Sequence, residues 1–76
     1  SIVIEDENSN VITIDSKGIT MESAGDISIK ATGDVKIEGT NVNVKATAQF
    51  KAEGNAGAEM SSAAVAIVKG SIVQIN

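Results

Sequence analysis

Apolar residues recur in pairs one residue apart along most of this chain. The pairs are Ile12/Ile14, Ile19/Met21, Ile27/Ile29, Val35/Ile37, Val42/Val44, Phe50/Ala52, Ala58/Met60, Val65/Ile67 and Val73/Ile75. Successive pairs begin 7 or 8 residues apart. In an extended chain, residues one apart point to the same side, so each pair marks one inward face. The residues between pair members are Thr13, Thr20, Ser28, Lys36, Asn43, Lys51, Glu59, Ala66 and Gln74, and only Ala66 is apolar, as an outward face requires. Lys17-Gly18, Gly25-Asp26, Gly33-Asp34 and Asn41 mark the corners, because Gly tolerates positive φ and Asp bonds its own backbone. The predicted unit is one very short strand and one corner. A fixed short period indicates a repeat architecture, here an all-β helix or prism with one strand per step.

The period breaks at the N-terminus. Ile2-Val3-Ile4 and Val11-Ile12-Thr13-Ile14-Asp15 predict strands, separated by the wholly polar run Glu5 to Asn10. Together they predict an antiparallel entry hairpin over residues 1–15, with the repeat occupying 16–76. Glu5, Asp6 and Glu7 lack the oxygen spacing and closing Glu of an EF-hand calcium loop and read as a solvated turn. From Ala46 to Ala66 small residues dominate, yet Gly54-Asn55, Gly57 and the continuing step through Phe50, Ala58 and Val65 argue against a helix. In that stretch Phe50 and Ala52 form a large–small complement. The chain ends on Val68-Lys69-Gly70-Ser71-Ile72-Val73-Gln74-Ile75-Asn76, an apolar rung that calls for a cap or a docking partner.

Composition narrows the function. There is no Cys and no His, which removes thiolate chemistry and the commonest general base and metal ligand. Phe50 is the only aromatic residue, so stacking on bases or sugars has almost no basis. The net charge of −4 argues against nucleic acid and anionic membrane. No apolar run reaches the ~18 residues of a spanning helix. No acid/base constellation converges, and Asp26 and Asp34 read as equivalent turn residues rather than a catalytic pair. The chain is therefore not expected to be an enzyme, and a polysaccharide lyase of the right-handed β-helix type is a poor fit. Only Thr13 and Thr20 are Thr among the outward positions, so the flat Thr rows of an ice-binding surface are missing. Two small apolar residues per step do not enclose a core within one chain, so the missing burial is expected from other chains. Beginning mid-pattern at Ser1 without Met, the chain reads as a piece of a longer protein.

The Gly-Asp-apolar-polar-apolar steps, the segment Ala46-Thr47-Ala48-Gln49-Phe50-Lys51-Ala52-Glu53-Gly54 and the ending Lys69 to Asn76 resemble the C-terminal spike of valine-glycine-repeat proteins. These form needle tips of type VI secretion systems, contractile phage tails and related injection particles. The resemblance covers residues 11–76. It departs from the family in using Ile more than Val in the early repeats, and the family's N-terminal oligonucleotide/oligosaccharide-binding-type domain is not in this sequence.

The resemblance implies an intertwined homotrimeric triple-stranded β-helix, a triangular prism roughly 45–50 Å long at about 4.8 Å per strand. Its trimer core would comprise Ile19, Met21, Ile27, Ile29, Val35, Ile37, Val42, Val44, Phe50, Met60, Val65, Ile67, Val73 and Ile75. Ser71, Ile72, Val73, Gln74, Ile75 and Asn76 would form the platform for a PAAR-repeat tip protein, whose metal ligands are its own. No cofactor or metal is expected of this chain, although Ala and Gly on the axis leave room for trapped ions or a lipid. Baseplate or tube proteins would attach through the region preceding the spike. The particle would assemble in the bacterial cytoplasm and be driven into a target envelope, acting mechanically. The competing reading is a single-chain β-solenoid with an adhesive surface.

Overall fold

A computed structural model describes residues 1–76, which form an all-β chain with no helix. It divides into two units, Ser1–Val42 and Asn43–Asn76.

The first unit opens with a three-stranded antiparallel sheet, β1 (Ile2–Glu5), β2 (Val11–Asp15) and β3 (Gly18–Glu22), in the order β1-β2-β3. The expected hairpin is present, with Ile2 opposite Ile14 and Ile4 opposite Ile12. Ile19 and Met21, the first pair beyond the hairpin in the repeat, belong to a third strand and lie opposite Ile14 and Ile12. Period-2 alternation therefore puts Ile2, Ile14 and Ile19 in one cross-strand row and Ile4, Ile12 and Met21 in the next, on a single face. The other face carries the row Val3, Thr13, Thr20 and the row Glu5, Val11, Glu22.

Side-chain oxygens shape both connections. Between β1 and β2, the Asp6 amide donates to the Asn10 carbonyl at 3.1 Å, which leaves Glu7, Asn8 and Ser9 as the loop. Ser9 takes φ 69°, the left-handed residue that ends a three-residue hairpin loop. The Asp6 carboxylate accepts from the backbone amides of Asn8 at 2.9 Å and Asn10 at 3.0 Å, and from the Asn10 side-chain amide at 3.0 Å. Between β2 and β3, Lys17 N–H donates to Asp15 Oδ1 at 2.9 Å. Ser16 and Lys17 keep negative φ, and the positive angle falls on Gly18 at 127°.

Beyond Glu22 no residue joins a strand ladder, and residues 23–76 make no backbone–backbone hydrogen bond within the chain. Sharp bends nevertheless recur at Ala24-Gly25, Thr32-Gly33 and Thr40, then in the second unit at Thr47-Ala48, Asn55-Ala56, Ala63-Ala64 and Ser71-Ile72. Each later apolar pair falls between one bend and the next, or after the last. The sequence predicts a strand at each step; a strand needs a hydrogen-bonded neighbour, and this chain alone supplies none after Glu22. Of the seven glycines only Gly18 has positive φ, so the corners do not use Gly for left-handed backbone. At Gly54 the reason is close approach, since a Cβ there would overlap the carbonyl oxygen of Gly57.

The Asn10 amide is the leading cause that draws the Asp6 carboxyl from its ordinary 3.8 down to about 2, followed by the Asn10 side chain and the Asn8 amide. A depressed folded-state value means that the charged loop contributes fully above the unfolded value. That contribution declines as the pH falls through the interval and is gone below the folded value. In an NMR titration the Asn8 and Asn10 amide resonances are expected to move with a midpoint near 2. A midpoint at the ordinary carboxylate value would contradict the loop's hydrogen bonding.

Candidate functional site

The apolar pairs are the first feature with a functional bearing, and the chain buries none of them. Their exposure repeats in step. Ile27 and Ile29 are 51% and 72% exposed, Val35 and Ile37 53% and 74%, and Val42 and Val44 53% and 68%. Three successive repeats therefore hold their side chains in nearly the same single-chain surroundings. Among the expected axis residues, Ile19 and Met21 are brought against Ile14 and Ile12 by the sheet. No ladder connects Ile27, Ile29, Val35, Ile37 and Val42 to neighbouring steps, nor Val44, Phe50, Met60, Val65, Ile67, Val73 and Ile75 in the second unit.

Fixing a residue's backbone costs on the order of 1–2 kcal/mol. Residues 23–76 have a repeating path with no intrachain ladder or buried core to offset that cost. Their amides and carbonyls have no backbone partner within the chain. The side-chain bonds within the second unit are sparse. Ala64 N–H donates to Ser62 Oγ at 3.1 Å. Lys51 and Glu53 approach to 3.9 Å with both side chains well exposed, a pair that contributes little.

The C-terminal end is the second feature. Ser71 and Ile72 form the last bend, and Val73, Gln74, Ile75 and Asn76 follow it without ladder or turn. Ile75 and Ile72, at 89% and 87%, are the most exposed of the large apolar side chains. Lys69 is the only charged side chain from Met60 onward. Eight acidic residues against three Lys lie in 1–42, and two against three in 43–76. Residues 70–76 thus carry no charged side chain and expose Ile72 and Ile75.

Two features escaped the residue pattern. Ile2 and Ile4 share the apolar sheet face, which the alternation of Ile2-Val3-Ile4 signals once its register against β2 is known. Ile4, Ile12 and Met21 of that face, with Ile27 beyond the sheet, help to line an open cleft of about 310 Å3 that also takes in Glu5, Val11 and Glu22 of the other face and Asp6 and Asn10 of the loop. The other is Asn10, whose Oδ1 accepts from Ser23 Oγ and from the Ala24 amide, each at 3.0 Å. No sequence signal pairs residues this far apart.

No group of three or more Asp, Glu, His or Cys side chains stands close enough to hold a metal ion. No helix is long and apolar enough to cross a membrane. No protein-family model matches the chain, and no curated protein matches it.

The glycines give a direct test of the corner geometry. A Cβ at Gly70 would stand 3.0 Å from the Ile72 carbonyl oxygen, whereas at Gly25 it would meet nothing within 4 Å. Gly54→Ala is expected to destabilise by about 1–3 kcal/mol, the usual range for overpacking against atoms that must move. Gly70→Ala should act in the same direction with a smaller effect. Gly25→Ala should be neutral or stabilising by up to about 1 kcal/mol, because it restricts the unfolded chain. Thermal melts of the three variants read the order, and a Gly25→Ala loss as large as that of Gly54→Ala would contradict it.

Proposed function

We propose that three copies of this chain intertwine into a triple-stranded β-helix that serves as the puncturing spike of a contractile injection machine. The observation that carries the assembly is the combination found after Glu22: bends at a spacing of 7 or 8 residues, an apolar pair in each step, and no backbone ladder within the chain. In a three-chain prism each step pairs with strands of the other two chains. The exposed amides then find acceptors, and the apolar pairs meet on a common axis. The apolar sheet face, with Ile2, Ile4, Ile12, Ile14, Ile19 and Met21, joins the same axis at the N-terminal end. A single-chain solenoid needs hydrogen bonds from each coil to the next within one chain, and residues 23–76 make none.

Spike function rests on the resemblance of the repeats and of the Lys69 to Asn76 ending to valine-glycine-repeat proteins. Physical properties support it as well. A load-bearing needle requires resistance to unfolding, and interchain pairing supplies it, because extracting one chain breaks bonds to both partners along its length. Such an assembly unfolds slowly regardless of its equilibrium stability. Residues Ser71 to Asn76, with Ile72 and Ile75 uncovered and no charge among the side chains, would form the platform for a PAAR-repeat tip protein. The action is mechanical: the sheath contracts, the particle drives the spike into the target envelope, and no bond of a substrate is made or broken.

Binding to immobilised PAAR-repeat proteins tests the platform. The 76-residue chain is expected to bind at least one of a panel of such tips. A form ending at Gly70, checked by circular dichroism for retained β-structure, should bind at least about tenfold more weakly, the equivalent of roughly 1.4 kcal/mol. Equal binding by both forms, or none by the full chain across the panel, would contradict the assignment.

A further inference from the structure

The repeats raise a problem of register. Ile27/Ile29, Val35/Ile37 and Val42/Val44 present the same apolar-polar-apolar step, and the first two pairs follow the same Gly-Asp corner. Chains slipped by one step against each other would still place apolar on apolar and polar on solvent. A pattern that repeats in this way specifies its alignment weakly. Correct assembly of three such chains needs a part that occurs once.

The N-terminal 26 residues contain it. The sheet is the only laddered part of the chain, and a hydrogen-bonded junction ties its hairpin loop to the first corner of the repeat. Asn10 Nδ2 donates to Asp6 Oδ2 at 3.0 Å, while Asn10 Oδ1 accepts from Ser23 Oγ and from Ala24 N–H. Ser23 Oγ also lies 3.1 Å from the Asp26 carbonyl oxygen, sharing its one hydrogen between two acceptors, and accepts from Gly25 N–H at 3.1 Å. Asn10, Val11, Ile12, Thr13 and Ser23 are the only residues of the chain that are half-buried rather than exposed. The junction therefore fixes where the chain leaves the sheet, whose apolar face has Ile2, Ile4, Ile14, Ile19 and Met21 exposed around the half-buried Ile12.

We propose that this face and the Asn10–Ser23 junction are the surface on which second and third copies of the chain first meet and take a common register. The prism then zips from Ile27 toward Asn76. The inference rests on the trimeric reading above. The second copy is the occupant because Ile27, which opens the next apolar pair, lines the same cleft as Ile4, Ile12 and Met21, so the apolar face of the sheet is continuous with the repeat whose backbone makes no ladder within the chain.

Refolding of the full chain from denaturant tests this, with light scattering for mass and pulse-labelled hydrogen exchange for order of protection. In the native sequence, amides of β2 and β3 are expected to gain protection before those of residues 27–76. Ser23→Ala should slow refolding roughly fivefold, the effect of one hydrogen bond already formed in the rate-limiting step. Ser62→Ala removes the matching Ser62–Ala64 contact, which has no link to the sheet, and should refold at the native rate. Simultaneous protection throughout, protection beginning at the C-terminal end, or equal slowing by the two Ser variants would overturn the proposal while leaving a trimeric spike standing. A native chain that stays monomeric would overturn both. If Ser23→Ala does not fold, the order of protection in the native sequence still decides.

Discussion

Unpaired backbone is the constraint on which the rest of this structure depends. After Glu22 the chain makes no backbone–backbone hydrogen bond to itself, yet it turns at regular intervals and holds its apolar pairs in matching surroundings. Regularity without internal bonding is uncommon, because backbone order is normally secured by a ladder or a helix within the same chain. Here neither is present after Glu22. Water would satisfy the amides but would leave the apolar pairs exposed and provide no reason for a repeating path. In the proposed trimer, copies of the same chain would satisfy both demands in one arrangement, since each strand would meet two neighbours and each apolar pair its equivalents.

This arrangement relates local chemistry to mechanical behaviour. Small steps with one apolar pair each are too thin to form a core in one chain, and the same thinness suits a narrow needle. Charged side chains such as Lys30, Asp34, Lys36, Glu38 and Lys45 flank the pairs in mixed sign. Exposed pairs of that kind add little stability, but in the proposed β-helix they would keep its surface from pairing with the wrong strands. The charge thins out toward the C-terminal end, where Lys69 stands alone among apolar and small polar residues. An uncharged end with Ile72 and Ile75 uncovered is a liability in isolation and an asset beneath a cap.

Much of this was legible in the residues because period carries the information. The alternation Ile2-Val3-Ile4 and Val11 to Asp15, broken by a polar run, was enough to place the hairpin, whereas its inward rows needed the register. The corners expected at Gly25-Asp26, Gly33-Asp34 and Asn41 are matched within about one residue by the bends at Gly25, Gly33 and Thr40. The third strand was harder to see. Ile19/Met21 has the same spacing whether it belongs to a sheet or to a repeat, and only the tight Asp15 to Gly18 connection assigns it to the sheet. Positive φ was the wrong reason for most glycines, because space next to a carbonyl, as at Gly54, leaves the same residue type in the sequence as a left-handed turn. The Asn10–Ser23 junction joins residues thirteen apart through side chains, and neither periodicity nor composition carries that kind of information.

In the proposed spike this chain completes its backbone bonding with two copies of itself. The solution mass by light scattering, read beside unheated and boiled samples on an SDS gel, tests this. A particle of three 7.7 kDa chains that stays together in SDS until boiled is expected. A well-folded particle with the mass of one chain would contradict it.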